Sequence, residues 1–190
     1  MSKGGTAAVN KARLRAGDLA VCALFTALLS VCAQLVIPLP GVPLNMALFA
    51  VHLAALLLGP RRAAASVAAY LLLGTFGAPV FSSFSSGPAV LLGPSGGFLF
   101  GYLFCALAAG RLSRRMQHTP ARSAQCALAG LAACALPGVL WFTLSTGAEV
   151  SFSFVLYWLV FLPGDLLKIA LAVLLSARLR SPLRAMGLTP

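Results

Sequence analysis

The sequence predicts an all-α integral membrane protein, a bundle of six transmembrane helices with both termini in the cytoplasm. Three observations predict it. The first is composition: of 190 residues 60% are apolar and 9% charged, and the mean hydropathy is +0.96. A soluble domain carries about 25% charged residues, because its outer face must meet water. The second is a series of six apolar stretches, at about 19–37, 45–58, 63–77, 97–110, 126–146 and 151–177. The third is the placement of the basic residues, which cluster on alternate connections between those stretches.

Lys3, Lys11, Arg13 and Arg15 precede the first stretch. A basic segment before an apolar run also describes a signal peptide. Here the run is long and no small-residue cleavage site leads into a soluble domain, so a retained helix is predicted. It carries Ala16, Ala20, Ala23 and Ala27, small residues one turn apart in pairs. Such spacing fits packing inside the bundle and docking of a partner helix equally well. The second and third stretches, joined at Arg61 and Arg62, fall short of the about 20 helical residues that cross a bilayer core. So does the fourth, and all three are predicted to be short, tilted or shielded. Five spans, or four with re-entrant segments, is the alternative count. His52 in the second stretch is either a hydrogen-bonded core residue or a proton carrier.

The connection 78–96 is long, uncharged and rich in Gly, Pro, Ser and Phe. A loop of that length in a compact protein tends to be functional. Phe81, Phe84, Leu91 and Leu92 suit a lid over a ligand better than a plain linker. At the fourth stretch, Gly93, Gly97 and Gly101 recur every four residues, as in ordinary internal helix packing. Arg111, Arg114, Arg115 and Arg122 separate the fourth and fifth stretches, and Arg178, Arg180 and Arg184 follow the sixth. Connections 38–44, 78–96 and 147–150 hold no Lys or Arg. Basic short loops stay in the cytoplasm. A cytoplasmic tail at 1–18, a membrane domain at 19–178 and a second tail at 179–190 follow.

The formal charge of +11 is therefore a topology signal. A nucleic-acid surface would gather its basic residues on one solvated face with interleaved aromatics, a pattern missing here. The five cysteines, Cys22, Cys32, Cys105, Cys126 and Cys134, lie in apolar stretches without metal-ligand spacing and are expected to pack as small apolar residues. No phosphate-binding G-x-x-x-x-G-K-[ST] loop occurs, so ATP hydrolysis by that route is excluded. Gly93-Pro94-Ser95-Gly96 matches the G-x-S-G of rhomboid intramembrane proteases. An activated serine needs a histidine base within hydrogen-bond reach. His118, the one histidine after Ser95, falls in the basic cytoplasmic connection, which leaves an intramembrane serine hydrolase a distant alternative.

Lys168 is the fourteenth basic residue and the only one outside the cytoplasmic clusters. It lies three residues after Asp165, on the same helix face, so the two can neutralise each other. A charge within a transmembrane helix costs at least about 2.5 kcal/mol and usually faces a cavity or partner. Pro163-Gly164 just before Asp165 predicts a broken turn lining a pocket. A self-contained ion pair tying helices together is the competing reading.

Four motifs stand in the order and spacing of the BioY family: Leu57-Leu58-Gly59-Pro60-Arg61, Tyr70-Leu71-Leu72-Leu73-Gly74 through Gly77-Ala78-Pro79-Val80-Phe81, Leu91-Leu92-Gly93-Pro94-Ser95-Gly96-Gly97-Phe98, and Leu162-Pro163-Gly164-Asp165-Leu166-Leu167-Lys168. The chain resembles that family, the biotin-specific substrate-binding components of energy-coupling factor transporters, over about residues 19–178. The resemblance implies a multi-pass protein of a prokaryotic plasma membrane that captures biotin at the outer face under its outer loops. Asp165 and Lys168 match family positions that bind the ligand's polar groups, with Phe81, Tyr70, Ser85 and Asn45 as further candidates. Ser85 stands where some members have Asn, and Ala47 stands where the family often has Gln, with Asn45 nearby as a substitute amide. The resemblance also implies docking of a transmembrane coupling subunit on the small residues of the first helix. Two ATPase subunits would use the ATP, and this chain would bind no cofactor of its own. A homo-oligomer, or a carrier for another vitamin-like molecule, are the alternatives.

Overall fold

The computed structural model describes residues 16–37, 44–116, 119–149, 155 and 161–185. The fold is almost entirely helical. Helix α1 (Ala16–Gln34) is rich in Ala and Leu, with Asp18 in its first turn. Where it ends, Val36–Ile37 (β1) and Leu44–Asn45 (β2) pair antiparallel, Val36 opposite Asn45. This small hairpin base was not legible as strands in so short an apolar run. Its connecting residues, including Val42 and Pro43, lie outside the described residues.

Helix α2 (Ala47–Thr75) contains one non-helical residue, Gly59, at φ 76° and ψ −179°, followed by Pro60. A left-handed φ is open to glycine without a Cβ clash, and proline supplies no N–H to continue the helix. The chain turns back here. The first arm starts beside the outer end of α1, where the Met46 N–H donates to Leu35 O at 3.2 Å. The second arm climbs alongside α1: Asp18 pairs with Arg62 at 2.7 Å, and Thr26 Oγ1 donates to Ser66 O at 3.0 Å. The second and third apolar stretches of the sequence are thus the two arms of α2. At about 1.5 Å per residue the first arm is much shorter than a bilayer core. Its shortness is tolerated because Ala50 through Pro60 are all buried inside the bundle. A helix apolar all round belongs in a core.

A 3₁₀ turn (Ser82–Phe84) and a short helix α3 (Pro88–Leu92) fill the following connection. Helix α4 (Gly96–Arg115) then descends beside the first arm of α2, with Tyr102 near Asn45, Cys105 near His52 and Ser113 near Leu56. Helix α5 (Pro120–Thr146) starts with Pro120 in its first turn and Thr119 Oγ1 accepting the Arg122 N–H at 3.4 Å, and ends on Gly147 at φ 67°. Proline first and a left-handed glycine last are the expected punctuation. The glycines of α4 pack internally, as expected: a Cβ on Gly97 would stand 2.2 Å from Trp141 Cβ, and one on Gly101 2.7 Å from Cys134 O.

Helix α6 (Leu162–Ala185) runs from Asp165 to Arg180, whose Nη2 donates to Leu56 O at 2.7 Å. It passes the boundary expected at 178. Pro163 and Gly164 lie in the first turn described for this helix, directly after Phe161, whose backbone is π-helical. Gly164 lets Leu44 approach, 3.3 Å from where a Cβ would be. Residues 150–154 and 156–160, the expected start of the sixth stretch, lie outside the described residues, as do Lys3, Lys11, Arg13, Arg15 and His118.

The helical passes α1, the two arms of α2, α4, α5 and α6 run alternately between two ends. One end gathers Arg61, Arg62, Arg111, Arg114, Arg115, Arg122, Arg178, Arg180 and Arg184. The other holds the β hairpin, the long connection and the Asp165–Lys168 pair. Among the described residues four helices, α1, α2, α4 and α5, are long and apolar enough to cross a membrane. On α5 every fourth residue from Leu128 to Leu144 is exposed, an apolar stripe suited to lipid.

Candidate substrate-binding site

The end opposite the arginines contains a cavity in two compartments that share Asn45, Phe98 and Tyr102. The outer one measures about 240 Å³ and is completed by Phe81, Ser82, Ser85, Val90, Ser95 and Leu99. The inner one, about 40 Å³, reaches Leu44, Cys134, Phe161, Asp165 and Lys168. Thus α2, the long connection, α4, α5 and α6 all contribute.

At the inner end Lys168 Nζ donates to Asp165 Oδ1 at 2.8 Å, and both side chains are buried. The pair is real, as the ion-pair reading required, and it also lines the cavity, as the site reading required. Asp165 lies in the first turn of α6, where the helix dipole favours negative charge. Above it stands Asn45. Its Oδ1 accepts the Ala47 N–H at 3.0 Å and the Tyr102 hydroxyl at 3.3 Å, while its Nδ2 donates to Ser82 Oγ. One amide therefore satisfies the Ala47 N–H at the start of α2, orients Tyr102 and anchors the outer connection. Ala47, where an amide would have been an alternative, is fully buried.

The outer connection is folded over the cavity. Phe81 is 1% exposed, its ring set in the slot left by Gly74 and edge-on to Tyr70, with centroids 5.4 Å apart. Tyr70 consequently stands behind Phe81 and is on neither compartment's wall, unlike the expectation from sequence; the missing side chain at Gly74 is what draws the Phe81 ring between them. Ser85 Oγ, on the outer wall, donates to Ser82 O at 2.7 Å. Phe84 is exposed and does not cover the cavity.

Tyr102, Phe98 and Gln34 were not singled out from the sequence. Tyr102 and Phe98 fall at ordinary core spacing on α4, and only the third dimension puts them on both compartments. Phe98 stacks on Phe161 at 6.3 Å. Gln34 is a lone polar residue at a helix end, and its contacts are with residues about fifty positions away. His52 is fully buried, with Nδ1 3.6 Å from Cys105 Sγ, and Nε2 has no hydrogen-bond partner among the described residues. It lines neither compartment. The five cysteines are all free and buried, as packing residues should be. On α1, Ala20, Ala23 and Ala27 are exposed.

Comparison with known proteins bears on this geometry. The BioY family model matches residues 7–185. The chain is 35% identical over 167 residues to a probable biotin transporter BioY of Pyrococcus horikoshii, covering 88% of this chain and 98% of that protein. It is 36% identical over 160 residues to the biotin transporter BioY of Thermotoga maritima, covering 83% and 92%. Among solved structures it is similar to the S-component for biotin from an ECF-type ABC transporter, with a TM-score of 0.80 and 30% identity over 86% of this chain and 90% of that one. The family and these relatives are transporters, not enzymes, so the G-x-S-G match at Ser95 is a cavity-wall feature without hydrolytic meaning. With nearly the whole chain matched, in sequence and in fold, the chain belongs to the BioY family.

Proposed function

We propose that this chain is the substrate-binding component of an energy-coupling factor transporter and takes up biotin. Capture occurs at the end that holds the cavity, which faces outside, because the opposite end carries the arginines that positive-inside topology keeps in the cytoplasm. Six helical passes cross the plasma membrane of the prokaryotic cell, and both termini are cytoplasmic. The observation that carries the reading is the cavity itself: an uncharged outer compartment of hydroxyls and aromatic rings leading to one buried pair of opposite charges. Biotin has the matching chemistry, with N–H donors, a carbonyl, an apolar ring and chain, and a carboxylate.

Asp165 accepts from ligand N–H groups, and Lys168 donates to a carbonyl or carboxylate. In the free protein the two charges satisfy each other, which closes the inner compartment. Ligand binding replaces that contact with hydrogen bonds to biotin, so a buried ion pair is held ready without leaving either charge unpaired. Phe81 and Phe98 cover the apolar part, while Ser82, Ser85 and Asn45 offer polar atoms in the outer compartment. Ser85 presents a short hydroxyl rather than an amide.

The chain holds no phosphate-binding loop, so the energy comes from partners: a transmembrane coupling subunit and two ATPases that use the ATP. The exposed Ala20, Ala23 and Ala27 let a partner helix approach α1 closely. Ala16 continues the same spacing. Uptake of radiolabelled biotin into cells lacking their own transporter tests this. Accumulation should require this chain and rise further when coupling and ATPase subunits are present. Accumulation of another vitamin in place of biotin would favour the second reading, a carrier of different specificity.

A further inference from the structure

Besides Asn45, a side chain from α1 holds the outer connection over the cavity. Gln34, the last residue of α1, donates from Nε2 to Phe81 O at 3.0 Å and accepts the Phe84 N–H on Oε1 at 2.9 Å. The amide thus spans both ends of the Ser82–Phe84 turn. That turn needs holding. Ser83 and Phe84 have φ of 58° and 56°, a left-handed conformation in which non-glycine residues are strained. Phe84 is 71% exposed, so burial does not fix it. Phe81 and Ser82, by contrast, are walls of the outer compartment, and Ser85 just after the turn is a third. Releasing the turn would remove three wall residues together.

We infer that Gln34 is a positioning residue that clasps the outer connection shut over the cavity and thereby sets the rate at which ligand enters and leaves. A strained turn held by two hydrogen bonds is balanced between closed and open states. Strain favours release, and the Gln34 amide, assisted by the Asn45–Ser82 bond, favours closure. The geometry suits a gate better than a fixed wall, because the strained residues are the exposed ones and the cavity-lining ones stay in relaxed backbone. The inference rests on the biotin-binding reading for its ligand, but the clasp itself is a property of the free protein.

The test compares wild type with Gln34→Ala and Gln34→Glu, purified in detergent, using labelled biotin. Glutamate keeps an acceptor for the Phe84 N–H and loses the donor to Phe81 O, so it should fall between the other two. Loss of both hydrogen bonds should speed biotin dissociation about tenfold, with the association rate rising as well and the fraction of protein able to bind unchanged. A merely structural role would lower that fraction and leave the rates of the binding-competent protein alone; that result overturns the inference. Dissociation within about twofold of wild type in both variants overturns it too. Cleavage by chymotrypsin after the exposed Phe84 gives a ligand-free arm. It should be faster in Gln34→Ala, and an unchanged rate contradicts the clasp. Wild type that binds no biotin at all would count against the functional reading, while this arm still decides the clasp.

Discussion

At Asp165 a structural and a functional demand meet in one side chain. It neutralises Lys168 in the buried part of α6, and it lines the cavity. The two demands separate by substitution. Asp165→Ala leaves an uncompensated buried lysine and should cost about 3–5 kcal/mol of stability as well as biotin binding. The double variant Asp165→Leu with Lys168→Met removes both charges and should recover most of that stability without recovering binding. Thermal unfolding and biotin binding measured on the same preparations check both halves, and a double variant that still binds would leave the pair with a purely structural role. The pair itself was legible in the sequence, since two opposite charges three residues apart in an apolar stretch have few uses. Tyr102 was not, because one tyrosine at core spacing reads like any other until Asn45, fifty-seven residues away, accepts its hydroxyl. Asn45, expected as a substitute amide, lines both compartments. Its amide also accepts the Ala47 N–H at the start of α2 and ties down Ser82.

Among the elements, the α4–α5 seam decides whether the cavity keeps its shape. Gly97, Gly101, Gly130 and Gly138 bring the two helices so close that side chains or backbone of the partner occupy the space of a Cβ. Trp141 locks the seam at its outer end, donating from Nε1 to Gly93 O at 3.0 Å. Gly97→Ala must push against Trp141 and the Pro137 carbonyl, so it should destabilise by about 1–3 kcal/mol. Because Phe98 adjoins it, biotin affinity should fall with stability; an alanine variant that melts like wild type would show the seam to be loose. The recurrence of glycine every four residues announced this packing in advance. The reversal at Gly59–Pro60 was also readable, from the dipeptide and the arginines that follow it. What sequence could not supply was that the first arm of α2 is surrounded on every side. An apolar run of that length reads equally as a tilted span, and only the contacts of α4 and α6 with it settle the matter.

For the molecule as a whole, charge and shape agree on polarity. The arginines collect at one end, the cavity opens at the other, and the passes between them alternate in direction. That arrangement was written in the sequence by the absence of Lys and Arg from three connections, a signal that survives without any knowledge of packing. The ligand was written less directly. Periodicity and spacing led as far as a pocket beside Asp165 and Lys168, and the step to biotin came from motifs shared with a family. Whether this pocket binds biotin is decided by equilibrium binding of labelled biotin to the purified chain, without partner subunits. Saturable one-to-one binding with a dissociation constant well below micromolar is the predicted result. A constant no tighter than micromolar, or tighter binding of a different vitamin, would contradict it.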